Sequence, residues 1–165
     1  MTAKSPSEEI SPDARWMQEA LRLARHAASQ DEVPVGAVVV CRGEVIGRGW
    51  NRPISSGDPT AHAEIVALRD AARWLNNYRM PEADLYVTIE PCTMCYGALI
   101  HARIRRIVYG APEPKAGVIQ SQLQLPQASC YNWSPEIVGG VEAEACAELI
   151  SGFFRQKRLR NKESG

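Results

Sequence analysis

The sequence predicts an α/β domain in which a five-stranded mixed sheet is covered by helices on both faces. Three observations carry this. Apolar residues recur at helical spacing in the opening segment, and two β-branched runs then flank a two-residue turn at Arg42-Gly43. Beyond that hairpin, strand-like runs alternate with helix-like ones, the pattern of a sheet with helices packed on both sides.

Ser11-Pro12 starts the first helix, a capping hydroxyl followed by proline at the first helical position. Trp16, Ala20, Leu23 and Ala27 then recur every three or four residues and give one apolar stripe to about Ala28. Pro34 to Cys41 and Glu44 to Gly49 are the two strands of the hairpin. Pro53, Ser55, Ser56 and Gly57 make Asn51 to Asp58 a predicted loop. A second helix opens near Thr60, carries Ile65, Leu68, Ala72 and Leu75 on one face, and closes at Asn76-Asn77, with His62 and Glu64 in its first turn. Leu85 to Ile89 reads as a buried strand ended by Pro91, and a third helix runs from Cys92 to about His101. Ile104 to Tyr109 is the fourth strand, Ile137 to Val141 a shorter fifth, and Ala143 to Arg158 one or two terminal helices.

The chemistry-bearing residues fall in two stretches, Thr60-Ala61-His62-Ala63-Glu64 and Pro91-Cys92-Thr93-Met94-Cys95. His62, Cys92 and Cys95 supply one imidazole and two thiolates, the nitrogen and sulfur ligands that Zn²⁺ prefers. Three protein ligands leave one tetrahedral position open, as in catalytic rather than structural zinc sites. Two thiolates cancel the charge of the metal and weaken it as a Lewis acid, so the site needs a base beside it. Glu64, two residues past His62, is placed to move protons between water, substrate and leaving group. Both stretches sit at predicted helix N-termini, where an i, i+2 pair can address something lying off the helix end. The i, i+3 spacing of the cysteines puts both sulfurs on one face, and the helix dipole favours thiolate there. Each residue alone has an ordinary reading as a half-buried histidine, a redox pair or a helix N-terminal charge. Their joint presence at ligand spacing singles out zinc.

H-x-E followed by P-C-x-x-C is the signature of zinc-dependent nucleobase deaminases of the cytidine deaminase superfamily. Around those motifs the chain resembles the bacterial tRNA-specific adenosine deaminases. The resemblance is carried by Glu32-Val33-Pro34-Val35-Gly36-Ala37-Val38, Gly49-Trp50-Asn51-Arg52-Pro53-Ile54, Asp58-Pro59-Thr60 through Glu64, Ile89-Glu90-Pro91-Cys92 through Cys95, and Phe153-Phe154-Arg155, roughly residues 14 to 160. It implies a three-layer α/β/α sandwich, one Zn²⁺ per chain and a homodimer. The implied reaction is hydrolytic deamination of the wobble adenosine of a tRNA anticodon to inosine, with Glu64 as proton shuttle.

The resemblance also implies roles around the base. Asn51 would hold the purine; Ala63, by its own residue type and its place between His62 and Glu64, can lend only its backbone N–H and a side chain small enough for a base to approach. Phe154 and Arg155 would meet the anticodon loop by stacking and phosphate contact. Glu113, within Gly110-Ala111-Pro112-Glu113-Pro114-Lys115-Ala116-Gly117, replaces a family aspartate that lies near the bound ribose. Asn132-Trp133 stands where relatives carry Asn-His, and residues 118 to 136 match poorly. Because the zinc motifs are common to the superfamily, the alternative is a deaminase of a free nucleobase or nucleotide, a guanine or cytosine derivative. A non-catalytic zinc-stabilised RNA-binding subunit is a third reading. The Phe-Phe-Arg end speaks against the former and Glu64 against the latter.

At 165 residues and 45% hydrophobic content the chain is sized for one deaminase domain over 1–165, with loose ends expected at 1–10 and 161–165. Five cysteines, two of them in a C-x-x-C, fit metal binding in a reducing compartment better than a disulfide framework. Cys41, Cys130 and Cys146 read as buried or indifferent thiols. No apolar run approaches the roughly 20 residues of a membrane span. Residues 1–10 are polar, so a cytoplasmic protein without membrane contact is expected. The formal net charge of zero hides an asymmetry: Arg155, Lys157, Arg158, Arg160 and Lys162 face a single Glu163 in residues 151–165. That basic end on a slightly acidic body suits phosphate contact with RNA, and DNA is not expected as a partner. His101, Arg103, Arg105 and Arg106 form a second basic cluster, read mostly as solvated surface.

Overall fold

The computed structural model describes residues 9–165. Its elements are α1 (Pro12–Ser29), β1 (Gly36–Cys41), β2 (Glu44–Trp50), α2 (Pro53–Ser56), α3 (Ala63–Leu75), β3 (Ala83–Ile89), α4 (Thr93–His101), β4 (Arg106–Ala111), β5 (Glu136–Val138) and α5 (Ala143–Glu163). The strands form one five-stranded sheet in the order β2-β1-β3-β4-β5. It is antiparallel across β2, β1 and β3, and parallel across β3, β4 and β5.

Alternation along each strand sorts the side chains into two cores. Ala37, Val39, Leu85, Val87 and Ile107 pack with Ala67 and Ala71 of α3 and Tyr96 and Leu99 of α4. Val38, Val40, Tyr86 and Val108 pack with Met17, Ala20 and Leu21 of α1 and Cys146 of α5. The sheet is thus the middle of three layers. Ser11 accepts the Ala14 N–H at 3.2 Å and caps α1. Arg42 and Gly43 both take positive φ (52° and 74°), as a two-residue hairpin turn with the right twist requires.

Several boundaries differ from expectation for identifiable reasons. The 51–58 loop contains the one-turn helix α2, with Pro53 in its first turn and Gly57 in the left-handed conformation at its end. The buried Glu32 accepts the Ile54 and Ser55 N–H groups at 3.2 and 2.8 Å, satisfying the orphan donors of that turn from 22 and 23 residues away. Helix α3 begins at Ala63, so His62 is its N-cap rather than a first-turn residue. Strand β4 starts at Arg106, after Arg103 turns the chain with φ 59° and the Arg105 N–H bonds to the Ala83 carbonyl. β5 is shorter than expected, and the terminal segment is one helix reaching Glu163, into the stretch expected to be loose. The expected loose N-terminus falls largely on residues 1–8, outside the described residues.

Segment 118–136 crosses the α4 face. Val118 and Ile119 are buried there, Tyr131 meets Tyr96 edge-on at 5.4 Å, and Trp133 Nε1 donates to the Ile104 carbonyl at 2.7 Å. At the other end of the sheet from the β3–α4 junction, Arg106 bonds Asp13 at 3.0 Å and Asp84 at 3.3 Å, and Arg105 also bonds Asp84. Two members of the expected basic surface cluster are therefore neutralised within the fold. All five cysteines are free thiols, and no described helix is long and apolar enough to cross a membrane.

Candidate active site and metal centre

Helices α3 and α4 precede and follow β3, and their N-termini meet near its C-terminal end. His62 caps α3 with extended backbone (φ −71°, ψ 154°), and Cys92 caps α4 in the same way (φ −83°, ψ 177°), with Cys95 in the first turn. Neither cap side chain makes a capping hydrogen bond to its helix. Both are free to point off the helix ends at each other.

The resulting geometry fits zinc. His62 Nδ1 lies 3.6 Å from Cys92 Sγ and 3.4 Å from Cys95 Sγ, and all three ligand atoms lie within 4.8 Å of one another. Zinc bonds of about 2.3 Å to sulfur and 2.0–2.1 Å to nitrogen, opened to a tetrahedral angle, require an N···S edge of about 3.5–3.6 Å. Nδ1 is therefore the nitrogen placed to hold a zinc ion together with the two sulfurs. Among the described residues no other group of three His, Cys, Asp or Glu side chains gathers its ligand atoms so closely.

The electrostatics agree. The Cys95 thiol donates to Cys92 and holds it down at about 4, with His62 adding to the effect. Cys95 is pushed far up, by that same hydrogen bond and by burial. Two sulfurs this close share one proton unless a cation lies between them, and a divalent cation would favour both thiolates. His62 is raised by its contact with Cys92. Glu64 is raised by burial, which outweighs its own backbone N–H.

A cavity of about 190 Å³ opens beside these residues. His62, Cys92, Glu64, Asn51, Glu113 and Phe154 all line it, so most of the residues singled out in sequence come together here. Glu64 lines the cavity without joining the three-ligand group. Asn51 Oδ1 accepts the Ala63 N–H at 2.8 Å. That bond engages the amide expected of Ala63 and leaves the Asn51 NH₂ as the donor toward the cavity. The Glu113 carboxylate accepts the Lys115 N–H at 2.8 Å, turning the chain at the rim. Phe154 is 40% exposed at the cavity wall, whereas Arg155 is exposed and lies outside the lining. Sequence reasoning missed the apolar walls Val33, Val35, Ile89 and Ile150, and it missed Glu90. Val33, Val35, Ile89 and Glu90 lay within the quoted family stretches, but nothing local marks them as facing a ligand.

Comparison with known proteins agrees with this geometry. The family described as "Cytidine and deoxycytidylate deaminase zinc-binding region" matches residues 10–111. A tRNA-specific adenosine deaminase of Haemophilus influenzae is 46% identical over 151 residues, 91% of this chain and 87% of that protein. That of Agrobacterium fabrum is 48% identical over 145 residues, 87% of this chain and 95% of that protein. A structure from studies of A-to-I editing by tRNA:A34 deaminases at the wobble position of transfer RNA superposes with a TM-score of 0.80 at 45% identity, covering 82% of this chain and 98% of that one. The chain belongs to the zinc-binding cytidine and deoxycytidylate deaminase family and, within it, to the tRNA-specific adenosine deaminases.

Proposed function

We propose that this chain hydrolyses the wobble adenosine of a tRNA anticodon to inosine, releasing ammonia, as a single-domain, cytoplasmic homodimer. The observation that carries the chemistry is the convergence of His62, Cys92 and Cys95 at zinc-ligand spacing beside a cavity lined by His62, Cys92 and Glu64. One Zn²⁺ held by His62 Nδ1 and the two sulfurs would lower the pKa of a water molecule and aim it at the purine. Glu64 takes one proton of the attacking water as oxygen adds to C6 and passes it to N1; it then takes the proton of the new C6 hydroxyl and delivers it to the amine, which leaves as ammonia as the C6 carbonyl forms. Burial suits it to this work, because a desolvated carboxylate is a stronger base.

The remaining residues bind and exclude. The Asn51 amide faces the base, Val33, Val35 and Ile89 keep bulk water from it, and Glu113 stands at the rim where a ribose would enter. Phe154 offers a stacking surface at the mouth, and Arg155 beside it meets phosphate. The dimer follows from the family resemblance, the RNA contacts from the resemblance and the basic end of the chain, and the cytoplasmic compartment from the cysteine usage. Glu64→Gln tests the core of the reading: full zinc content with a loss of turnover of about 10²–10⁴-fold is expected, and near-wild-type turnover refutes the shuttle. Incubation with a tRNA transcript bearing adenosine at the wobble position, and separately with free nucleosides, tests the substrate. Conversion of nucleosides but not of tRNA overturns it.

A further inference from the structure

Glu90 follows β3 directly and precedes Pro91-Cys92, yet it is 2% exposed and no described lysine or arginine pairs with it. Its carboxylate is instead enclosed by backbone. Oε1 accepts the Glu113 N–H at 3.0 Å and the Ser121 hydroxyl. Oε2 accepts the N–H groups of Ile119 and Gln120, each at 2.9 Å, and of Ser121 at 3.1 Å. Gly117 packs onto the same carboxyl group, where a Cβ would lie 2.3–2.5 Å from its atoms. Backbone bonds tie both sides of the arrangement: Glu90 N–H to the Ala111 carbonyl at 2.9 Å and Val118 N–H to the Pro91 carbonyl at 3.1 Å. Glu90, Glu113 and Ala116 all border the active-site cavity.

We propose that Glu90 is a positioning residue whose carboxylate gathers residues 113–121 into a strap, setting Glu113 and Ala116 at the substrate wall of the cavity. The inference rests on the deaminase reading above. Glu90 stands outside the metal ligand group, and its oxygens are occupied by donors, so it serves neither as ligand nor as general base. Without it four N–H groups would be left without this acceptor, and the strap would open rather than bury them unpaired. Glutamine cannot replace it, because its NH₂ would face donors where the carboxylate accepts. The strap acts on substrate binding, so its loss raises KM more than it lowers kcat.

The test uses the zinc-loaded full chain and two variants, Glu90→Gln and Gly117→Ala, the second disturbing the strap with the carboxylate intact. Hydrogen exchange read by mass spectrometry needs no substrate. Residues 113–121 should exchange about tenfold faster or more, with β3 and α4 protected as in wild type. On an anticodon stem-loop RNA with adenosine at the wobble position, KM should rise about tenfold with kcat held within about threefold and zinc content unchanged. With Glu113→Gln added as a further single variant, the double variant Glu90→Gln, Glu113→Gln should be no worse than the poorer of its two singles. Unchanged protection of 113–121 overturns the proposal. Loss of zinc with protection falling everywhere would make Glu90 merely structural, and a fall in kcat at constant KM would place it in the chemistry; either overturns it as well. If Glu90→Gln does not fold, Gly117→Ala decides by the same readouts. A wild-type chain inactive on that RNA would sink the functional reading, while exchange still decides whether Glu90 holds the strap.

Discussion

Gly49→Ala adds one methyl group where β2 passes beneath α3, and its consequences should reach the metal. The new Cβ would stand 2.2 Å from the Ala63 carbonyl oxygen and 2.5 Å from the Ala67 nitrogen, against the 3.4 Å at which ordinary contact begins. Strand and helix must part by about 1 Å, and both obstructing atoms are backbone, so no side chain can swing aside. Ala63 lies between His62 and Glu64, so the displacement passes directly to an imidazole placed for the metal and to the carboxylate proposed as proton shuttle. Overpacking of this kind costs about 1–3 kcal/mol, which for a domain of this size lowers the melting midpoint by about 3–10 °C. A misplacement of about 1 Å at reacting groups costs about 10²-fold in rate. Thermal unfolding, metal analysis and kcat/KM on the stem-loop RNA should therefore show a lower midpoint, zinc released more readily to a chelator, and activity down about a hundredfold. A variant whose midpoint lies within about a degree of wild type and whose activity lies within about threefold would refute the claim that the close packing of β2 on α3 sets the position of His62 and Glu64.

Chelation should abolish deamination until Zn²⁺ is returned, and it should open Cys92 and Cys95 to alkylation. Equal labelling of loaded and stripped protein, counted by mass spectrometry, would argue against them as ligands. The hydrogen bond from Arg106 holds Asp13 below the usual carboxylate range. Asp13 therefore contributes stability that is present above the ordinary value of about 3.9 and is lost as pH falls through the lowered one. Melting midpoints taken downward from about pH 5 should fall in that window, and Arg106→Met should flatten this part of the curve. Glu32→Ala leaves the Ile54 and Ser55 N–H groups without their acceptor. It should cost about 1–3 kcal/mol and raise KM through the neighbouring Asn51, and an unchanged melting midpoint would count against it.

Much of the fold was legible because its signals are local. The Ser11-Pro12 start, the Arg42-Gly43 turn, the Asn76 stop and the apolar periods each act within a few residues, and the elements they predict all occur. Boundaries slipped where a distant partner intervened. Glu32 organises α2 from 22 residues away, and the Ala83 carbonyl takes the Arg105 N–H before β4 begins. The basic cluster around Arg105 and Arg106 looked like surface in sequence, yet Asp13, far along the chain, absorbs the charge of Arg106.

The chain's sequence alone determined the metal chemistry. Ligand identity resides in side-chain type, and H-x-E with P-C-x-x-C at two helix starts leaves few other uses for one imidazole, two thiolates and a carboxylate. Tertiary structure decided what surrounds them: which nitrogen of His62 faces the sulfurs, that Asn51 engages the Ala63 amide, that Phe154 borders the cavity while Arg155 does not, and that Glu90 is enclosed by residues 113–121. These depend on contacts between residues far apart in the chain, His62 and Cys95 by 33 positions. A hydrogen bond across such a span is set by how helices pack on the sheet, and no local periodicity encodes it.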